Sequence, residues 1–448
     1  MSHRHHRRSA RPLPASERGA ARIPGIAAAV LGLAMAGSIF LVDPKAESAF
    51  DAPKRLVGML GCALAAALVF SIRGASTARW ASLRPISRAS ALLFGAAIGA
   101  AGLAALASPR RPVALDAWRA MVLWSLAVPL GASAALTGKR FAALVRTFLA
   151  CAAVSAVLSL LEAAGAFAPF SIESASGRSG TGALIGNEGS LAIVLSLAAI
   201  ASLVAALRAP GLLDRRLALA SLALIFGALV VNRNITAAGS VAVGAAIVGG
   251  VLFGRKAAPW VAAVVLVGSA GVFLYRPARA RLLEASRYAR SGQWDSLVSY
   301  RGGPWVSAIE MIRERPVAGY GPGTFASEFV PHRLAAEIRR RERFVNPLFA
   351  GSYTEAHSEY LQAAAEAGIP AAAAALAAFA LAVVSVGRLV RRGAEDVRIP
   401  ALGLVAFLVT GAVAALTWFP LQRGASAIPL LLAAGCAWRL GETGGAVS

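Results

Sequence analysis

The chain is poor in several residue types, and each shortage narrows what it can be. Its 448 residues include three cysteines, Cys62, Cys151 and Cys436, each inside an apolar run, so neither a disulfide framework nor a cysteine metal site is indicated. Only four lysines occur, Lys45, Lys54, Lys139 and Lys256. Arginine is therefore the default cation, and an arginine alone says little about bidentate recognition. No internal repeat or strand-rich segment is present. The one glycine-rich run, Gly319 to Gly323, stands in no βαβ unit, which removes the dinucleotide-binding reading.

Apolar sequence is what the chain has in abundance. Hydrophobic residues make up 57% and the mean hydropathy is +0.65, values of a polytopic membrane protein, for which the bilayer replaces the core of a soluble domain. Runs long enough to span a bilayer, about 20 residues each, fall near 23–42, 56–72, 86–107, 118–136, 141–164, 184–207, 217–231, 235–253, 258–275, 369–387, 400–419 and 425–438. The spacing predicts an all-α protein of about 12 transmembrane helices. Its expected divisions are a basic tail (1–22), nine spans (23–275), a long outer loop with amphipathic helices (276–358), three further spans (359–438) and a short tail (439–448). The alanine-rich composition of the runs suits packing of helices through small residues.

The net charge of +23 points to no nucleic acid, because its distribution follows topology. With the N-terminus inside, 22 basic residues fall in cytoplasmic segments and eight in the short outer loops. The three histidines at the start, His3, His5 and His6, read as part of a basic tail rather than a metal site. The exception is the outer segment 276–358, where 13 arginines face eight acidic residues. Long loops translocate largely regardless of charge, so this segment does not contradict the topology, but it calls for a reason.

Within that segment Trp305, Ile309 and Ile312 recur at helical spacing, with Ser307, Glu310, Arg313 and Glu314 on the other face, which predicts a short amphipathic helix ending before Pro316. Gly319, Gly321 and Gly323 then make a turn whose backbone N–H groups can approach an anion. From His332 to Arg343, the i,i+4 pairs Arg333/Glu337 and Glu337/Arg341 predict a solvated helix, unless some of Arg339, Arg340, Arg341 and Arg343 attract an anionic carrier or glycan. Ser352 with Glu355 is a capping-box pattern. It predicts a helix that carries His357, Tyr360, Leu361 and Ala364 on one face and ends at Gly368 and Pro370. An imidazole near a helix N-terminus is kept neutral, as a general base requires.

The order Arg301, Trp305, Pro316, Gly319, Gly321, Phe325, then His357, Tyr360, Leu361, Gln362, Glu366 and Gly368, resembles the signature region of the O-antigen ligase and O-antigen polymerase family of membrane glycosyltransferases. Ser358 stands where that family usually has Asn. Arg178 to Leu195 is similar to the family's loop-to-helix segment, with Glu188 and Gly189 after Asn187. Arg233, in VVNRNITAAG, is the best match to an arginine motif at the outer end of the seventh helix.

The resemblance implies that His357 activates an acceptor hydroxyl, that Arg301, Arg178 and Arg233 hold the donor diphosphate, and that Gly319, Gly321, Tyr360 and Glu359 support them. It implies an undecaprenyl-diphosphate-linked glycan as donor, a glycan or lipid A core oligosaccharide as acceptor, no cofactor, and a site facing the periplasm from the bacterial inner membrane. Diphosphate is already a good leaving group, so one neutral His and two or three Arg forks suffice and no metal is obligatory. A ligase, a repeat-unit polymerase and a protein O-oligosaccharyltransferase differ only in acceptor. A polysaccharide or lipid transporter would fit the span count, but such proteins place polar sites at mid-bilayer on broken helices.

Overall fold

The computed structural model describes residues 15–43, 45, 50–71, 83–167, 181–254, 276–341, 343–344 and 353–443. Helices α1 (Ala15–Phe40), α2 (Asp51–Phe70), α3 (Pro85–Ala107), α4 (Arg111–Ser125), α5 (Ala127–Ala132), α6 (Gly138–Ala163), α7 (Glu188–Arg208), α8 (Leu212–Asn232) and α9 (Ile235–Phe253) precede the polar segment. That segment contains α10 (Arg276–Arg290), α11 (Trp294–Leu297), α12 (Gly302–Glu314), α13 (Phe325–Arg340) and α14 (Glu359–Ala367). Helices α15 (Ile369–Arg392), α16 (Glu395–Ala414) and α17 (Gly424–Thr443) complete the bundle. Among the described residues there is no strand.

The protein is an all-α polytopic membrane protein: among the described residues nine helical segments are long and apolar enough to cross a membrane. Two expected runs, 217–231 and 425–438, are helical but fall outside those nine. The first lies in α8, which opens on Asp214, Arg215 and Arg216; in the second, the apolar part of α17 is only Gly424–Leu440. The run 258–275 lies outside the described residues, as does the expected tail up to residue 14. The fourth span begins at Arg111, earlier than its apolar run, and is interrupted between α4 and α5, where the ring of Pro129 opposes the carbonyl of Ser125 four residues before it.

Helix α7 is the centre of the bundle, with 72% of its spanning window buried, and Leu191, Ile193, Leu195, Leu197 and Ile200 are enclosed on all sides. Serines join the helices inside the bilayer. Ser90 Oγ donates to the Ala378 carbonyl (2.6 Å) and accepts from Trp438 Nε1 (2.8 Å), an apolar-medium use of hydroxyls as interhelical glue.

Helix ends and connections carrying polar groups gather at one end of the bundle. There Asp51 meets Arg423, Lys54 meets the 184–185 carbonyls, Asn232 meets Glu188 and Thr236 meets Thr417. Helices α12, α13 and α14 sit on this end with a small core of their own, built from Ala308, Met311, Tyr320, Phe325, Phe329, Ala356 and Ala365. Burying Phe325 and Phe329 completely contributes about 2–3 kcal/mol each before entropy and joins the three short helices into one cap.

Candidate active site

The cap is locked by the glycine turn. Tyr320 N donates to Ala365 O (3.1 Å) and Gly321 N to Glu366 O (2.7 Å), while Gly323 N and Phe325 N both donate to the Glu366 carboxylate (2.9 and 3.0 Å). The anion that this turn receives is thus the protein's own Glu366. Gly319 is pressed against the α14 backbone at Glu366, and Gly321 against Ser108 and Ala114. Gly368, at φ 86°, closes the seam from the other side against Val317, and Ile369 N donates to Pro316 O (2.8 Å).

The helix after His357 starts later than its sequence suggests. Ser352 lies outside the described residues, and the N-cap of α14 is Ser358, whose Oγ accepts from Leu361 N. Ser and Asn are both good caps, which accounts for Ser at the position where Asn is usual. His357 therefore precedes the helix and does not share a face with Tyr360. Its backbone is left-handed (φ 51°), a conformation that persists for a non-glycine residue only where its surroundings hold it. Here Gln362 Oε1 accepts from Ala356 N (3.0 Å) and Trp305 Nε1 donates to His357 O (3.4 Å). Tyr360 OH donates to Ala412 O (2.8 Å) in the last turn of α16, and Glu359 accepts from Leu421 N (3.1 Å) in the loop between α16 and α17, so α14 is tied to both.

That loop supplies what the sequence reading missed. Trp418 and Phe419 are stacked (4.6 Å), and the His357 ring packs edge-on against both (5.3 and 5.6 Å) and against Tyr353 (5.5 Å). The Arg301 guanidinium lies over Trp418 (5.9 Å) and that of Arg423 over Phe419 (5.1 Å). Arg423 also bonds Asp51 at the start of α2 and Glu355 two residues before His357 (2.6 Å to Glu355). The signal available in the sequence was WFPLQR between two apolar runs, an aromatic pair close to an arginine.

The loops flagged around 178–195 and 230–239 converge on the same place. Asn232 Nδ2 donates to Thr181 Oγ1 (3.4 Å) and Glu188 O (3.0 Å), and a Cβ at Gly189 would come within 2.9 Å of the Trp418 ring. Thr236 and Thr417 share a hydrogen bond of 2.6 Å. Arg233 ends α8 in a left-handed turn, and its buried Nε has no acceptor. Arg178 lies outside the described residues.

The amphipathic helix α12 is present, but its polar face is divided: Ser307 and Glu310 are turned inward, while Arg313 and Glu314 are exposed. Ser307 Oγ donates to Phe329 O (2.8 Å), and Glu310 is only 3% exposed, paired with Arg313 (2.8 Å) and with Arg339 of α13 (2.6 Å). Arg339 is thereby committed to the cap. Arg333 and Glu337 pair as expected (3.6 Å), whereas Glu337 also accepts from Phe344 N because the helix stops at Arg340.

Burial holds the His357 imidazole down to a pKa of about 3, helped by the positive fields of Arg301 and Arg423, so it is neutral throughout the physiological range. Its Nδ1 is buried and has no partner. Burial also pushes the carboxyls of Glu359 and Glu366 up to about 7 each. The described cations of the site are guanidinium groups, the shape suited to phosphate oxygens.

These features define the class: a membrane bundle whose buried neutral histidine and arginines meet on an aromatic pair at one end. Residues 219–376, about a third of the chain, match the O-antigen ligase family, and this match bears out the resemblance seen in the sequence. Members of that family are glycosyltransferase-like enzymes of bacterial membranes. The matched stretch contains Arg233, Arg301 and His357; Trp418, Phe419 and Arg423 lie beyond it. No curated protein matches the chain.

Proposed function

We propose that this protein transfers a glycan from undecaprenyl diphosphate to an acceptor hydroxyl at the periplasmic face of the bacterial inner membrane, with lipid A core oligosaccharide as the acceptor. The observation that carries the reading is the meeting of His357 and Arg301 on Trp418, where Thr236, three residues after Arg233, is bonded to the neighbouring Thr417. The acceptor hydroxyl gives its proton to the unpaired Nδ1 of His357 as its oxygen bonds to the anomeric carbon. The bond from that carbon to the diphosphate oxygen breaks, and Arg301, Arg233 and Arg178 neutralise the departing diphosphate, without a metal.

An imidazole of pKa about 3 is a weak base, chiefly because burial penalises its charged form and in smaller part because of the positive fields of Arg301 and Arg423, and donor binding offsets some of that smaller part. The diphosphate cancels the positive field of Arg301, so donor binding raises the proton affinity of His357 when a base is needed. Repeat-unit polymerisation and protein O-glycosylation would use the same groups with a different acceptor. The test is His357→Ala in purified protein: transfer falls by about 10²- to 10⁴-fold, with donor binding retained. Transfer at close to the native rate would refute the base assignment and move it to Glu355 or Glu359. A chelator leaves the native rate unchanged; loss restored by a divalent ion would refute the metal-free clamp.

A further inference from the structure

A second feature at the same end of the bundle adjoins the group just described and shares Glu355, Glu359, Tyr360 and Arg423 with it. A cavity of about 1030 Å³ runs between α2, α3, α4, α15 and α17. Pockets that enclose drug-sized ligands span roughly 300–1,000 Å³, so this one exceeds the top of that range. Its walls are largely alanine with Phe94, Met121 and Phe379, and it reaches from Arg423 and Gly424 to Trp438 along α17. Fourteen residues of helix correspond to roughly 21 Å at about 1.5 Å per residue. That is deeper than one leaflet of a hydrocarbon core about 30 Å thick. The lining residues Leu56, Ile369 and Leu376 are 53%, 49% and 52% exposed, so the wall continues onto the lipid-facing surface and a lipid can enter sideways.

The mouth differs in chemistry from the arginines around Trp418. It carries Lys54, Arg55 and Arg423 against Asp51, Asp116, Glu355 and Glu359. Every one of those cations is already engaged. Lys54, 6% exposed, donates to Leu184 O (2.6 Å) and Ile185 O (3.4 Å); Arg55 faces Asp116 (3.9 Å); Arg423 bonds Asp51 and Glu355. With four carboxyl groups against three cations, a diphosphate would meet more negative than positive charge here, and like charges brought together are disfavoured. Sugar hydroxyls suit such a mouth, because they donate to carboxylates and accept from guanidinium groups. Glu355 belongs to the mouth and stands two residues from His357, whereas neither Arg301 nor Arg233 lines the cavity.

We propose that this cavity holds the hydrocarbon anchor of the acceptor, a lipid-linked oligosaccharide, and that Asp51, Glu355 and Arg423 receive its sugars and present a hydroxyl to His357. This deepens the glycosyl-transfer reading and rests on it. Donor and acceptor then reach His357 from two separate lipid sites, the donor through the Trp418 side and the acceptor through the Phe419 side.

Ala375 lines the cavity on an exposed stretch of α15, so a large side chain there fills the space without disturbing the packed core. The experiment uses the full chain in nanodiscs with an undecaprenyl-diphosphate oligosaccharide as donor. Lipid A core oligosaccharide, the same oligosaccharide after removal of its acyl chains, and a diazirine-tailed lipid A are the acceptor probes. Ala375→Trp is expected to raise KM for the acylated acceptor at least tenfold, to leave KM for the donor unchanged, and to leave transfer to the deacylated acceptor at the wild-type level. Diazirine crosslinks should fall on α4 and α15 and be lost in the variant. A raised donor KM would assign the cavity to the donor's tail and overturn the proposal, as would unchanged constants for both substrates. Equal crosslinking by a diazirine phospholipid would show an unselective lipid cleft, which also overturns it. If the wild type transfers to no acceptor, the glycosyl-transfer reading fails, while the crosslink positions still decide whether the cavity takes this lipid.

Discussion

Replacing Gly368 with alanine tests the seam on which the position of His357 depends. The backbone there has φ 86° and ψ 160°, a region that is essentially glycine-only, and a side chain forced into it costs about 1–3 kcal/mol. A Cβ would also lie 2.6 Å from the carbonyl carbon of Val317 and closer still to its oxygen. Neither strand of the seam can yield freely. Ile369 N is bonded to Pro316 O (2.8 Å), Gly368 N to Ala364 O (3.0 Å) and Gly319 N to Arg315 O (3.0 Å). Opening the seam therefore costs two or three backbone hydrogen bonds at about 1 kcal/mol each. The sum is about 3–6 kcal/mol, a large part of the roughly 5–15 kcal/mol that stabilises a typical protein. Thermal unfolding in detergent, followed by tryptophan fluorescence, should show a clearly lowered midpoint and lost transfer. Gly387→Ala is the control, because a Cβ there meets nothing within 4 Å and alanine favours helix over glycine. A Gly368→Ala protein as stable as this control, with full activity, would refute the seam.

Arg301→Ala should abolish transfer, and Arg301→Lys should restore only part, because a point charge lacks the planar fork; loss of a charge-assisted hydrogen bond of about 1.5–3 kcal/mol weakens donor affinity roughly 10- to 100-fold. Native donor affinity in the alanine variant would remove the clamp. Glu359 and Glu366 titrate near 7 in the folded protein against an ordinary 4.5, so their neutral forms favour folding below about pH 4.5, and that stability is lost as pH rises through about 7. The unfolding midpoint should fall over that window and Glu366→Gln should flatten part of the fall; a midpoint rising from pH 5 to 7 would contradict the burial of these carboxyls. Cysteine introduced at Arg279 or Glu355 should label from the periplasm and cysteine at Arg392 from the cytoplasm; the reverse pattern would overturn the orientation.

Much was legible without coordinates because bilayer physics writes itself into composition: every spanning segment must be apolar and internally hydrogen-bonded, so helix type and approximate bounds follow from run length. The two weakest runs were visible as well, since 217–231 is short and 425–438 is shorter still and contains Pro429. His357 and Arg301 could be singled out because both lie in one contiguous polar passage. Four matters needed the tertiary structure. Ser358 rather than Ser352 caps α14, since capping depends on the left-handed turn at His357, which no local pattern encodes. The glycine turn holds Glu366 instead of a substrate, because a carboxylate 43 residues from Gly323 reaches its N–H first. Glu310 faces inward because Arg339 of another helix neutralises it. Trp418, Phe419 and Arg423 join the site only because the bundle returns the loop between α16 and α17 to the same end as His357, some 60 residues away in the chain. Periodicity reports which face of an element is apolar, while the partner of each polar group is chosen by packing between segments that the sequence keeps far apart.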